Sequence, residues 1–335
     1  MSRRQEKKRP LLKVTLVWLI GNLCFFKYSV LLLDNLLKAR ASPLAVTPVV
    51  LPNILFPIGL SYITFRLIHY IIEVYRGNAP GGSFVDFALY VMFFPTFLAG
   101  PVERFQKFYP QSQSINALDL SNVNYGLFRM ILGLVKKLII ADNLKNIITP
   151  VLVCPQLYSR VVVIAGIYGL AIQVYMDFAG YTDIAIGASR VFGYKIMENF
   201  NRPFLQKNIA LFWRSWHISV YSLIRDYFFL PVFGCRPSRL KTYIGIFCTM
   251  MVFTLWHKGS LGFLILGVYH GLGLVIWNIF QQAKNRFSLI RSWTSKRFLD
   301  PVSIFLTFSF VSFGLIFFMD DIHQAMGIIR RLTNT

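Results

Sequence analysis

Residues 261–277 read LGFLILGVYHGLGLVIW, and a histidine, His270, sits near the middle of that run. Apolar character continues to residue 280. A helix needs about 20 predominantly apolar residues to cross the hydrocarbon core of a bilayer, and this run supplies them. An ionisable group at that depth costs several kcal/mol and usually faces a cavity or a partner. The bland reading is a structural histidine bonded to a neighbouring helix, because a neutral imidazole is cheaper to bury than a charge. Gly267, Gly271 and Gly273 flank it and let a backbone or a ligand come close. They tilt the reading toward a residue that lines a tunnel.

Runs of the same kind recur outward in both directions. They lie at 14–33, 54–75, 84–102, 123–141, 161–180, 209–232, 242–256 and 302–319. Two shorter ones, 144–153 and 184–193, are too short to span and read as interfacial or re-entrant. The expected fold is therefore an all-α polytopic integral membrane protein with eight or nine crossings, in one domain over residues 1–335. Composition agrees: the chain is 55% hydrophobic with only 15% charged residues, and its mean hydropathy is +0.54. No internal repeat or low-complexity tract is visible.

The formal charge is +21. In a soluble chain that would raise nucleic acid as a partner. Here no polar basic domain exists to carry such binding, so the expected partners are membrane lipids, with basic loops held against the cytoplasmic leaflet. Arg3, Arg4, Lys7, Lys8, Arg9 and Lys13 precede the first run and predict a cytoplasmic N-terminus. Cys24, Cys154, Cys235 and Cys248 are scattered, with neither CxxC spacing nor a zinc-site pattern. No metal is expected.

Polar residues cluster in FWRSWHISVYSLIRDYFF, residues 212–229. Trp213 and Trp216 suit an interfacial belt, and Arg214 and Arg225 suit snorkelling side chains. On a helix, Arg225 and Asp226 would lie about 80° and 180° round from His217, so neither is expected to touch it. His257 closes a span at LWH and precedes Lys258-Gly259-Ser260, which reads as a turn before the run holding His270. NFNRP, residues 199–203, breaks the helical pattern just upstream. No GxSxG elbow, phosphate loop or HExxH is present, and no carboxylates are spaced as a glycosidase needs. A histidine base without a serine nucleophile points to direct attack by a substrate hydroxyl on an activated acyl group.

FWRSWHISVYSLIRDYFFLPVFG resembles the signature of the membrane-bound O-acyltransferase family. FPIGLSYITFRLIHYIIEVYRG, FFPTFLAGPVERF, GLVKKLIIADNL, YMDFAGYTDIAIG, MENFNRPF and LWHKGSLGFLILGVYHG look like further family blocks in family order. The resemblance runs from about residue 11 to the end and is closest to the branch of the alginate O-acetyltransferase membrane subunit. It implies helices ringed around a funnel, in the inner (cytoplasmic) membrane. It also implies two catalytic histidines, His217 and His270. Substrate contacts are expected from Trp213, Arg214, Trp216, Arg225, Asp226 and His257. His270, deeper in an apolar span, fits the base better; His217 fits a positioning role. Lys258 stands where similar proteins carry glycine, and two or three N-terminal helices usual in the family are expected to be missing.

The resemblance further implies acetyl-CoA or another acyl thioester as donor, with no tightly bound cofactor. The acceptor would be a hydroxyl of a cell-envelope polysaccharide such as alginate or another exopolysaccharide, and an extracytoplasmic acetyl-transfer protein is a further implied partner. Two alternatives stand beside this. One is transfer of D-alanine or another acyl group to a teichoic-acid-like polymer or peptidoglycan. The other is a non-catalytic channel or transporter on the same scaffold, in which both histidines would be replaceable.

Overall fold

The computed structural model describes residues 3–40, 57–79, 81–114, 119–287, 297–319 and 321–333. Among these residues all regular structure is helical. Four described helices are long and apolar enough to cross a membrane: Lys8–Ser29, Arg160–Val191, Leu261–Arg286 and Asp300–Phe318. They match the expected runs at 14–33, 161–180, 261–280 and 302–319. The start of the expected run 54–75 and most of the polar loop after residue 287 lie outside the described residues. The chain groups into two compact units, Met1–Ala117 and Leu118–Thr335.

In the first unit α1 (Arg3–Arg40) packs on α2 (Leu60–Arg76). The expected span at 84–102 is not one helix. It gives α3 (Phe84–Val91), a short 3-10 turn (Phe94–Thr96) and irregular backbone up to α4 (Phe105–Ser114). Pro95 and Pro101 are the reason: neither has an N–H to continue a helical ladder. The carbonyls left over must find donors away from water. Buried Arg66 supplies them, donating to the carbonyl oxygens of Tyr90 at 3.0 Å, Val91 at 2.8 Å and Thr96 at 2.8 Å, and to the Thr96 hydroxyl. His69, one turn on, accepts the Phe105 N–H through Nε2 at 3.0 Å. These buried polar groups thus clamp a broken segment of main chain.

The second unit is built on two long helical runs. The first is α5 (Leu120–Leu134), a π-helical stretch (Val135–Ala141) and α6 (Asp142–Val153), without interruption. Residues 144–153 are therefore the end of this run and not a separate short segment. The second is α7 (Arg160–Val191). It absorbs both 161–180 and 184–193, so the expected re-entrant piece at 184–193 is a correction. The polar residues between them resembled a break because Asp183 is a charge in an apolar run. Its carboxylate is buried but paired: Arg129 Nε donates at 2.7 Å and Lys136 Nζ at 2.5 Å. Arg129 reaches Glu198 as well, at 2.7 Å.

The two runs touch backbone to backbone. A Cβ added at Gly187 would lie 2.5 Å from the Gly126 carbonyl oxygen, and one added at Gly133 would lie 2.6 Å from that of Gly180. Neither obstacle is a side chain that can swing away. Gly187→Val should force the helices apart and cost about 1–3 kcal/mol, the usual range for overpacking. Thermal unfolding of the detergent-solubilised variant at the wild-type midpoint would contradict this crossing.

The remainder of the unit consists of α8 (Ile209–Ser215), α9 (Ile218–Ile224), a π-helical turn (Arg225–Phe229) and α10 (Leu230–Phe233). Then come α11 (Arg239–His257), α12 (Leu261–Arg286), α13 (Asp300–Gly314) and α14 (Ile322–Thr333). The expected span at 209–232 is a second correction: it is two helical pieces, 209–215 and the uninterrupted run 218–233, because the backbone turns at His217. On α14, Ala325 and Ile328 are buried in a core with Ile148, Leu152, Val163 and Ile167.

Candidate functional site

The site forms where α8 ends. Asn208 caps α8 by accepting the Leu211 N–H at 2.9 Å. The helix runs two turns and stops, because His217 takes a left-handed conformation with φ 46° and ψ 51°. A non-glycine residue there is strained and must be held by its surroundings. The NFNRP segment holds it. The Ile218 N–H donates to the Asn199 carbonyl oxygen and the Asn201 N–H to the Ser215 carbonyl oxygen, both at 2.9 Å. The helix break predicted at 199–203 thus braces the turn at 217.

The turn drives the His217 ring inward, to 1% exposure, while His270 on α12 is 3% exposed. Aromatic rings connect them. The Trp213 and His270 centroids lie 5.1 Å apart, edge to face. Phe253 of α11 packs on Trp213 at 4.9 Å and on His217 at 6.0 Å. His257, half-buried, lies 6.5 Å from His217, and Phe178 of α7 meets His217 at 4.6 Å. Residues from four helices and the 217 turn therefore converge on one desolvated cluster.

Buried polar atoms normally carry hydrogen bonds, and each one left over calls for an explanation. Three occur in this cluster: Trp213 Nε1, His217 Nε2 and His270 Nδ1 are all buried without a protein partner. The other ring nitrogen of His217 is held, Nδ1 lying 3.0 Å from Asn199 Oδ1. Burial first, and the neighbouring His257 second, push the His217 imidazole well below its ordinary pKa. That direction favours the neutral imidazole. A cluster that carries an unpartnered imidazole nitrogen on each of two histidines and an unpartnered indole N–H has the groups that could bond a hydroxyl and a carbonyl.

The other expected contacts are placed differently. Trp216 packs with Tyr175, Phe200, Phe204 and Phe212, an aromatic group that adjoins the cluster through Phe212 on Trp213 and Phe200 on Phe178. Arg214 is exposed. Arg225 donates through Nε to Asp226 at 2.8 Å, so these two bind each other at the start of the π-helical turn. Asn199, Ser219 and Phe253 are the residues that sequence reading missed. Only the helix break at NFNRP hinted at Asn199. Among the described residues no group of three His, Cys, Asp or Glu could hold a metal ion.

Comparison with known proteins follows this geometry. The family model described as "MBOAT, membrane-bound O-acyltransferase family" matches residues 11–319. The chain is 37% identical over 298 residues to the Pseudomonas aeruginosa protein named "Probable alginate O-acetylase AlgI", covering 88% of this chain and 54% of that one. It is 29% identical over 351 residues to a peptidoglycan O-acetyltransferase of Helicobacter pylori, covering 96% of this chain and 64% of that protein. To the teichoic acid D-alanyltransferase of Bacillus subtilis it is 30% identical over 278 residues, covering 79% and 69%. The chain spans about half the length of the alginate O-acetylases it matches. With a family match over most of its length and membrane-length apolar helices among the described residues, the chain belongs to the membrane-bound O-acyltransferase family.

Proposed function

We propose that the chain is an acyltransferase that moves an acetyl group from an acyl thioester to a hydroxyl of a cell-envelope polysaccharide. The single observation carrying this reading is the trio of unpartnered buried atoms on Trp213, His217 and His270. Polar atoms in a packed core are usually hydrogen-bonded. A substrate that brings a hydroxyl and a carbonyl satisfies all three.

The step balances as follows. The acceptor hydroxyl oxygen attacks the thioester carbonyl carbon while His217 Nε2 takes its proton. His217 has one ring nitrogen held and one free, as an oriented base requires. Trp213 Nε1–H and His270 Nδ1, as N–H, donate to the carbonyl oxygen as it gains charge. The tetrahedral intermediate expels the thiolate, which takes the proton back from His217. This exchanges the roles expected from the sequence. The expectation rested on His270 lying deeper; the anchored Nδ1 of His217 favours the exchanged roles.

The surrounding reading is of one functional domain in the inner membrane, its helices ringed around a funnel and bathed by lipid. Acetyl-CoA or a similar thioester would enter from the cytoplasm. The acceptor would be alginate or a similar exopolysaccharide, reached directly or through an extracytoplasmic acetyl-transfer protein. The name of the Bacillus relative makes D-alanyl transfer to a teichoic-acid-like polymer the second reading. Proteoliposomes holding the purified chain should transfer labelled acetyl from acetyl-CoA to added polysaccharide, and D-alanyl from a carrier thioester poorly or not at all. Folded protein that consumes neither thioester would overturn the acyltransferase reading.

A further inference from the structure

We infer that Asn199, braced by Ser219, is a positioning residue that fixes the tautomer of His217 and aims its free nitrogen into the pocket. The inference rests on the proposed role of His217 but can fail separately from it. Asn199 is fully buried. Its Oδ1 stands opposite three groups: the Ser219 hydroxyl at 2.9 Å, the Ser219 N–H at 3.3 Å and His217 Nδ1 at 3.0 Å. Its Nδ2 faces the Thr182 hydroxyl oxygen of α7 at 3.5 Å.

The orientation of an amide must be assigned from its partners. A backbone N–H can only donate, so the atom facing Ser219 N must be the amide oxygen. The nitrogen of His217 facing that same oxygen must then donate too, and Nδ1 carries the hydrogen. In a neutral imidazole the other nitrogen bears the lone pair. That nitrogen is Nε2, the buried atom with no protein partner. The opposite tautomer would set a lone pair on Nδ1 against a carbonyl-type oxygen and turn the N–H toward the substrate, so the ring could not accept a proton there.

Asn199 acts through the main chain as well. Its carbonyl oxygen accepts the Ile218 N–H at 2.9 Å, directly after the left-handed His217. One residue thus holds both the strained backbone and the ring of His217. Ser219, 0% exposed, adds two of the three donors on Oδ1 and keeps the amide from flipping.

The test is nitrogen NMR of the full chain in lipid nanodiscs with 15N-labelled histidine, the His217 signals being identified by their loss in His217→Gln. His217 should show a protonated Nδ1 and an unprotonated Nε2. Asn199→Leu should lose that preference and lower kcat by about 100-fold, the scale of a misplaced catalytic group, with donor KM within about threefold. Asn199→Asp, which keeps an acceptor oxygen in place, should recover at least about tenfold over the leucine variant. A wild-type His217 protonated on Nε2 overturns the inference. So does a leucine variant that keeps the Nδ1-protonated form, or an aspartate variant no more active than leucine. If the leucine variant does not fold, the wild-type tautomer and the aspartate rate decide. If the tautomer is as stated but His217→Ala transfers acyl groups at the wild-type rate, the positioning holds and the catalytic reading falls.

Discussion

His217→Ala should lower acyl transfer by about 10²–10⁴-fold, the range a lost general base costs. His270→Ala should lose about 10²–10³-fold, as removal of a donor to a developing oxyanion does. The two losses should not add, because both groups serve one transition state. Glutamine separates the roles. His270→Gln retains an N–H in the pocket and should keep more activity than His270→Ala, whereas His217→Gln can accept a hydrogen bond but cannot carry a proton away. Initial rates of labelled acyl transfer, with folding checked by gel filtration, read out all four variants. Equal loss in the two glutamine variants would undo the assignment of roles. Wild-type rates in both alanine variants would remove the enzyme reading and bring the channel reading forward. His323→Ala should leave the rate unchanged, since that residue is at the start of α14, outside the cluster.

Asp183→Ala should cost about 3 kcal/mol of stability. Removing one partner of a buried ion pair costs about 3–5 kcal/mol because the other charge is stranded. The lower end applies here. Arg129 and Lys136 are partly exposed, and Arg129 keeps Glu198 at 2.7 Å. Asp183→Asn keeps an acceptor oxygen and should lose less than the alanine variant. Denaturant or thermal unfolding in a fixed detergent measures both. An alanine variant as stable as the wild type would mean that Asp183 does not tie α5 to α7.

The long apolar helices were legible in the sequence because length and hydropathy are local properties: α12 and α13 lie where the runs 261–280 and 302–319 placed them. The failures share one physical origin, a polar or proline-bearing position whose partner is distant in the chain. Asp183 read as a break because Arg129 and Lys136 could not be seen beside it. Residues 84–102 read as one helix because Arg66 on α2 does not announce that it will donate to the carbonyl oxygens of Tyr90, Val91 and Thr96 around the break at Pro95. The same holds at the site. His217 and His270 stood out as ionisable residues in apolar surroundings, and Trp213 stood beside one of them. Asn199 is an uncharged residue in a loop, and its importance lies in three donors that fold onto it. The left-handed backbone at His217, which turned an expected span into a re-orienting corner, has no marker such as glycine in the sequence.

The glycine contacts between α5 and α7 also bear on how the molecule can move. Two backbones that meet at two points, Gly126 with Gly187 and Gly133 with Gly180, are keyed together like a ratchet with both teeth engaged. Sliding one helix along the other, or rolling it about its axis, would drive a Cα-bearing ridge into a carbonyl at both points at once. The pair therefore behaves as a single stiff mast. Any movement within the second unit must be borne by elements other than this pair.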